Sequence, residues 1–210
     1  MTQQAESHPE GSDPTVDTDE LRRQVQEKYR EVAADPSASY HFFTGRRATR
    51  ALGYPTELLE GLPEETIEAF AGVANPFYWG LPTTGERVVD VGSGGGLDST
   101  IAARAVGDDG RVVGVDMTTS MLDRATAAAD SIGLDNLEFR QGLAEDLPVA
   151  DGWADVVISN GVLNLVPDKM RAYQEIVRVL RPGGRAQIAD IYVEKPVPAG
   201  SRRDIDLWTG

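Results

Sequence analysis

Four glycines, Gly92, Gly94, Gly95 and Gly96, follow the short β-branched run Val88-Val89-Asp90-Val91, and a second acid, Asp116, ends another apolar run about twenty residues later. Glycine lacks the Cβ that would hold a ligand away from the chain, so such a turn, with Ser93 inside it, can present amide N–H groups at close range. Asp116 closes Arg111 to Thr118, RVVGVDMT, where a carboxylate can accept from both hydroxyls of a ribose. An acid such as Asp90 rarely stands in a buried strand without a task, and here it can fix the loop or meet a cationic ligand group. The chemistry on offer is the holding of a nucleotide-like ligand. The chain has no cysteine and only two histidines, His8 and His41, so neither a Ser–His–Asp or Cys–His arrangement nor a zinc site is expected.

Strand, glycine turn, helix and strand must position these groups. The pattern predicts strands at about Arg87–Val91, Arg111–Asp116, Leu137–Arg140, Asp155–Asn160 and Arg185–Tyr192, with a helix opening at Leu97 to Val106. Asp168 to Leu180 reads as an amphipathic helix with Met170, Tyr173, Ile176, Val177 and Leu180 at helical spacing. Alternating strands and helices define an α/β fold with a Rossmann-like parallel sheet. In such sheets ligands bind outside the carboxyl ends of the strands, where Asn160 stands after the fourth.

The glycine spacing, Gly92-x-Gly94-x-Gly96 followed by Leu97, departs from the G-x-G-x-x-G of a dinucleotide fold, which remains the alternative. With Asp90 before the turn and Asp116 after it, the segment resembles motifs I and II of class I S-adenosylmethionine-dependent methyltransferases. Gly142-Leu143-Ala144-Glu145-Asp146-Leu147-Pro148 and Arg178-Val179-Leu180-Arg181-Pro182-Gly183-Gly184 follow in that superfamily's order. The resemblance implies S-adenosyl-L-methionine as cofactor, held by Asp90, Gly92, Ser93, Gly94, Gly96, Asp116, Met117, Gly142, Leu143, Ala144 and Asn160. It places Gly142–Ala144 along the adenine, and Leu143 stands where many relatives carry an acid.

Within the superfamily, GVDMT at Gly114–Thr118, SNGVLNLVPDK at Ser159–Lys169, and RVLRPGG with IADI behind it look like the arsenite methyltransferase family, from about Val73 to Ile191. That family binds trivalent arsenic through cysteine thiolates, one of them after the Ser-Asn pair, where this chain has Gly161. Arsenic(III) is a soft centre that wants thiolate sulfur, so this pocket cannot be assembled from these residues. A substrate bringing its own thiols, such as a glutathione adduct, remains open.

The family's sheet has seven strands, the last two an antiparallel hairpin beside the fifth. After Tyr192 only 18 residues remain, with Pro196 and Pro198 among them and a helix start at Ile205–Trp208. The expectation is a fragment or truncated product lacking the hairpin. The alternative is a minimal five-stranded variant, and either would leave strand five exposed for self-association.

The chain divides into an acidic, disordered tail at 1–20, a helical cap at 21–80 and a methyltransferase domain at 81–210. Leu21 to Ala34 reads as a cap helix with Leu21, Val25, Tyr29 and Val32 on one face, and Glu64 to Ala74 as another after Pro63. Tyr40, His41, Phe42 and Phe43 either wall the site or pack the cap, packing being the simpler reading; Phe77-Tyr78-Trp79 likewise reads as packing, and Arg46 and Arg47 as surface residues. A net charge of −14 argues against a nucleic-acid partner. The excess of acids over a chain with three lysines resembles proteins of salt-loving organisms or of high-GC genomes. No apolar run approaches a membrane span and no signal peptide opens the chain, so a cytoplasmic protein acting on a small molecule is expected.

Three function classes follow. The first is a small-molecule methyltransferase, similar to the arsenite enzymes or to quinone-type C-methyltransferases. The second is a nucleotide-binding oxidoreductase, and the third a cofactor-binding but inactive fragment. Methyl transfer from a sulfonium needs binding, orientation and desolvation more than acid–base chemistry, so no base is named. Asn160 is the best catalytic candidate, with turn capping as its simpler role.

Overall fold

β-Branched residues favour extended backbone, and runs apolar on both faces need cover on both. In the computed structural model, which describes residues 17–35, 40, 43–192 and 194, these runs form one parallel sheet. Its strands are β1 (Arg87–Val91), β2 (Arg111–Asp116), β3 (Leu137–Gln141), β4 (Ala154–Asn160) and β5 (Leu180–Ala189). They lie in the order β3-β2-β1-β4-β5, so the chain runs outward through β2 and β3 and then returns to the other side of β1. That reversal opens a crevice at the carboxyl ends of β1 and β4.

Val88 packs with Val112, Val156 and Ile158 toward helix α5 (Leu97–Val106), while Val89 and Val91 pack with Val113, Val115 and Val157 toward the opposite face. Burying each of these valines contributes roughly 1.5–3 kcal/mol. Helix α6 (Thr119–Ser131) follows β2, and α7 (Lys169–Val179) precedes β5. Four helices come before the sheet: α1 (Thr18–Ala34), α2 (Gly45–Ala51), α3 (Thr56–Leu59) and α4 (Glu64–Glu68). Ala48, Tyr54, Leu59, Ile67 and Phe70 from this cap join the same core cluster as Val88 and Ile101, so cap and sheet share apolar packing.

The structure corrects several expectations. Helix α1 starts at Thr18, capped by the Asp17 carboxylate that accepts from the amides of Asp19 and Glu20, so 18–20 are helical rather than tail. Helix α4 stops at Glu68, not Ala74; beyond it the Phe70 carbonyl accepts from Gly45 N–H and 70–74 turns toward the sheet. Strand β5 spans 180–189 rather than 185–192. Leu180 pairs with Ala154 and Arg185 with Val156, so Arg181–Gly184 is a bulge inside the strand.

Met170, Tyr173 and Val177 of α7 face outward; the buried side is Ala172, Glu175, Ile176 and Val179. Glu175 earns its place by accepting from Leu147 N–H and pairing with Arg178, which also donates to the carbonyls of Leu147 and Val149. Phe77 is buried as expected, yet Tyr78 and Trp79 are exposed, stacked edge to face on each other. Phe43 is also exposed, lying under the Arg47 guanidinium, while Arg46 pairs with Glu64. His41, Phe42 and the segments 1–16 and 195–210, with Ile205–Trp208, lie outside the described residues. Among the described residues no helix is long and apolar enough to cross a membrane.

Candidate functional site

At the carboxyl ends of β1, β2 and β4 a cavity opens beneath α1. Strand β1 and its turn supply Asp90, Gly92, Ser93 and Gly94; β2 supplies Asp116 and Met117; the segment after β3 supplies Gly142, Leu143 and Ala144; β4 ends in Asn160. Gly94 has φ +51°, and a Cβ there would meet nothing within 4 Å, so the turn presents bare backbone to open space. Ser93 lines this cavity, is buried, and its hydroxyl has no partner. An orphaned buried hydroxyl beside a glycine cradle fits a polar ligand at this turn. Gly96 does not line the cavity. It caps α5 at φ +85°, with Phe139 and Ala125 where its Cβ would be, and Gly95 lines the wall instead.

Asp116 joins the two halves of the βαβ unit. One carboxylate oxygen accepts from Gly94 N–H at 2.9 Å, the other from Thr118 N–H at 2.8 Å. These bonds aim the carboxylate and leave lone pairs for hydroxyl donors. Burial nevertheless pushes its pKa up.

Two residues that sequence reasoning missed brace the site, Asp98 lining its floor and Tyr54 standing behind it. Asp98, in the first turn of α5, accepts from Tyr54 Oη at 2.7 Å and from Asn160 Nδ2 at 3.0 Å. Asn160 Nδ2 also approaches the Ala74 carbonyl, and its Oδ1 accepts from the amides of Val73 and Ala74. Both ends of this side chain are therefore engaged in bracing 73–74 against β4. Asp98 had a readable signal, an acid in the first turn of the helix that opens directly after the glycines; Tyr54, from the loop between α2 and α3, had none.

Asp90 accepts from Ser99 Oγ at 2.6 Å. Desolvation raises the pKa of both Asp90 and Asp98, Asp90 further because the Asp98 and Asp116 charges also oppose its ionisation. Burial likewise pushes the Tyr54 phenol up, with the Asp98 charge adding to it. Among the described residues no basic side chain pairs with these floor carboxylates, an environment that favours a cationic ligand group.

Helix α1 forms the roof. Arg22, Val25 and Tyr29 line the cavity, and Arg22 Nη2 meets Glu145 Oε1 at 3.0 Å. Gln26 Nε2 donates to the Met117 carbonyl at 3.2 Å, so the roof is fastened to both the segment after β3 and the loop after β2. Burial raises the Tyr29 phenol to about 12, with the Asp116 and Asp190 charges behind it.

A five-stranded parallel sheet with a glycine turn, a facing carboxylate and this crevice defines a Rossmann-like nucleotide-binding class. Residues 82–208 match the family model described as a methyltransferase domain, and the chain belongs to that family, whose cofactor is S-adenosyl-L-methionine. An arsenite methyltransferase of Halobacterium salinarum is 45% identical over 139 residues, 66% of this chain and 36% of that protein. A crystal structure of an arsenic(III) S-adenosylmethionine methyltransferase from Chlamydomonas reinhardtii superposes with a TM-score of 0.64 at 40% identity, covering 75% of this chain and 53% of that one. A ubiquinone/menaquinone C-methyltransferase of Vibrio parahaemolyticus is 37% identical over 114 residues, 54% of this chain and 43% of that protein. The chain therefore spans between about a third and about half the length of these relatives.

Proposed function

We propose that this chain binds S-adenosyl-L-methionine in the cavity beneath α1 and directs its methyl group to a small molecule. The observation that carries this reading is the Asp116–Gly94 hydrogen bond, which sets a ribose-type carboxylate against a backbone cradle 22 residues away in sequence. Asp116 would hold the ribose, Gly92–Gly94 with Ser93 the polar tail, and Met117 with Gly142–Ala144 the adenine. Asp90 and Asp98 would face the cationic part. Bound there, the cofactor supplies a sulfonium methyl that an acceptor's electron pair takes, while the broken bond's electrons return to sulfur and any acceptor proton passes to solvent. Asn160 is a positioning residue in this account: it holds 73–74 at the rim and leaves no polar atom free to serve as a base.

The arsenite enzymes among the relatives make arsenite the first acceptor to test, yet the chain has no cysteine to hold it. A quinone-type C-methyltransferase is the second reading, favoured by the similarity to the Vibrio protein. Calorimetric titration against S-adenosylmethionine and NADH tests the cofactor. Methyl-transfer assays on arsenite, with and without glutathione, and on a hydroquinone then test the acceptor; methyl transfer to none of them by a chain that binds the cofactor would favour a binding role instead.

A further inference from the structure

Among the described residues five buried side-chain polar atoms have no hydrogen-bond partner, and two of them, Ser93 Oγ and Arg22 Nε, belong to residues that line this one cavity. A buried donor without an acceptor is costly, and beside a ligand cavity the cost is removed when the ligand supplies the acceptor. The rest of the Arg22 guanidinium is engaged: Nη2 donates to Glu145 Oε1 at 3.0 Å and Nη1 to Asp19 Oδ1 at 3.4 Å. Nε alone is left.

Tyr29 repeats the pattern seven residues further along α1. Arg22, Val25 and Tyr29 share one helical face, and all three line the cavity. The Tyr29 ring packs beside Val32 and Met121, while its hydroxyl makes no hydrogen bond to any described residue. Burial and the Asp116 and Asp190 charges raise this phenol to about 12, so at neutral pH it is a protonated donor. Seven residues of helix set the two side chains about 10 Å apart along the axis, so they meet different parts of one extended ligand.

We infer that α1 is itself part of the cofactor site, Arg22 donating through Nε to a ring nitrogen of the purine and Tyr29 through Oη to an oxygen of the ribose. The inference rests on the methyltransferase reading of the site and deepens it by two binding residues from the cap. Arg22 is tied to Glu145, which directly follows the Gly142–Ala144 segment assigned to the adenine. Arginine can only donate, so the atom it meets must be an acceptor; the purine ring nitrogens qualify and the exocyclic amino group does not. Tyr29 lies toward Asp116, the carboxylate assigned to the ribose. That carboxylate accepts from ribose hydroxyls, and a phenol beside it can donate to an oxygen of the same sugar. Both are positioning residues and take part in no bond change.

The test is calorimetry with S-adenosylhomocysteine on the full chain, unmodified and as Arg22→Lys and Tyr29→Phe, with urea unfolding of each in the absence of ligand. Tyr29→Phe removes one oxygen, and Arg22→Lys keeps a cation for Glu145 while deleting Nε. Each variant is expected to bind at least about threefold more weakly, with its ligand-free unfolding midpoint unchanged. The 1-deaza, 3-deaza and 7-deaza analogues, each lacking one purine ring nitrogen, then place Arg22. One of them should bind the unmodified chain at least about threefold more weakly than the parent, and that difference should vanish in Arg22→Lys. Unchanged affinity in a variant, or weaker binding matched by a lowered midpoint, overturns the assignment of that residue. Equal binding of all the analogues to the unmodified chain, or a difference that persists in Arg22→Lys, overturns the purine contact, and the first of these needs no variant to fold. Failure of the unmodified chain to bind S-adenosylhomocysteine overturns the methyltransferase reading beneath the inference.

Discussion

Asn160 Nδ2 donates to Asp98 Oδ2 across 3.0 Å, which fastens the end of β4 to the first turn of α5. Through Tyr54 and the amides of Val73 and Ala74 the same pair reaches the cap, so one amide side chain holds three separate stretches of chain at the rim of the site.

Asn160→Ala removes that brace and leaves buried donors and acceptors unpaired, at about 1–3 kcal/mol for each group that water cannot reach. A loss of about 2–4 kcal/mol in urea unfolding is expected. A positioning role also requires that Asn160→Ala raise the KM for the acceptor more than it lowers kcat. An unchanged unfolding midpoint would contradict the brace.

The buried carboxylates Asp90 and Asp98 contribute an inverted pH dependence, opposite in sign to that of the paired acids Glu86, Asp155 and Glu175. Asp90 and Asp98 have folded-state pKa values above the unfolded value, so the folded chain binds more protons between about pH 4 and about pH 8. Their contribution to stability is present in full below the unfolded pKa and is lost as pH rises through the folded values. The groups facing them are Ser99, Tyr54, Asn160 and Asp116, none of them cationic. Thermal stability carried by this pair should fall from about pH 4 to about pH 8, and Asp90→Asn should flatten the slope. A slope that Asp90→Asn leaves unaltered would count against the pair.

How far the site was legible depends on whether its residues are local in sequence. The glycine turn and Asp116 belong to one βαβ unit, and β1, β2 and α5 lie where the pattern put them. Gly96 shares the spacing of the cradle, yet it caps α5 and does not line the cavity. Tyr54 was invisible, because its contact with Asp98 spans 44 residues and nothing around it marks a function. Met170, Tyr173 and Val177 share a helical stripe with the signature of a core face, yet all three point outward. The polar Glu175 turns inward with Ala172, Ile176 and Val179, since Arg178 and Leu147 N–H compensate its charge. Pro182, Gly183 and Gly184 signal a turn, and a bulge inside a strand has the same signature, which hides the start of β5.

Free arsenite should be a poor acceptor, because no thiolate is available to hold it. Gly161→Cys alone should not convert the chain, since that residue is left-handed and crowded by Val73. Purified chain incubated with arsenite and labelled cofactor, without added thiol, should release no more methylated arsenic than a boiled control. Rapid turnover would show that a different ligand set serves arsenic.

Strand β5 is hydrogen-bonded to β4 alone among the described strands, and Ile188, Ile191 and Tyr192 near its free edge are exposed. Such an edge favours pairing with another chain. Sedimentation should reveal concentration-dependent association, reduced by Ile188→Lys and Tyr192→Lys together. A monomer at all concentrations would remove this proposal.

The central claim is that Asp116 and the glycine turn hold S-adenosylmethionine, and calorimetry on the unmodified chain and on Asp116→Ala tests it most directly. The account predicts one bound S-adenosylmethionine per chain, no measurable NADH binding, and a loss of about 1.5–3 kcal/mol, roughly tenfold or more, on Asp116→Ala. Binding of NADH with comparable affinity, or S-adenosylmethionine binding untouched by Asp116→Ala, would contradict it.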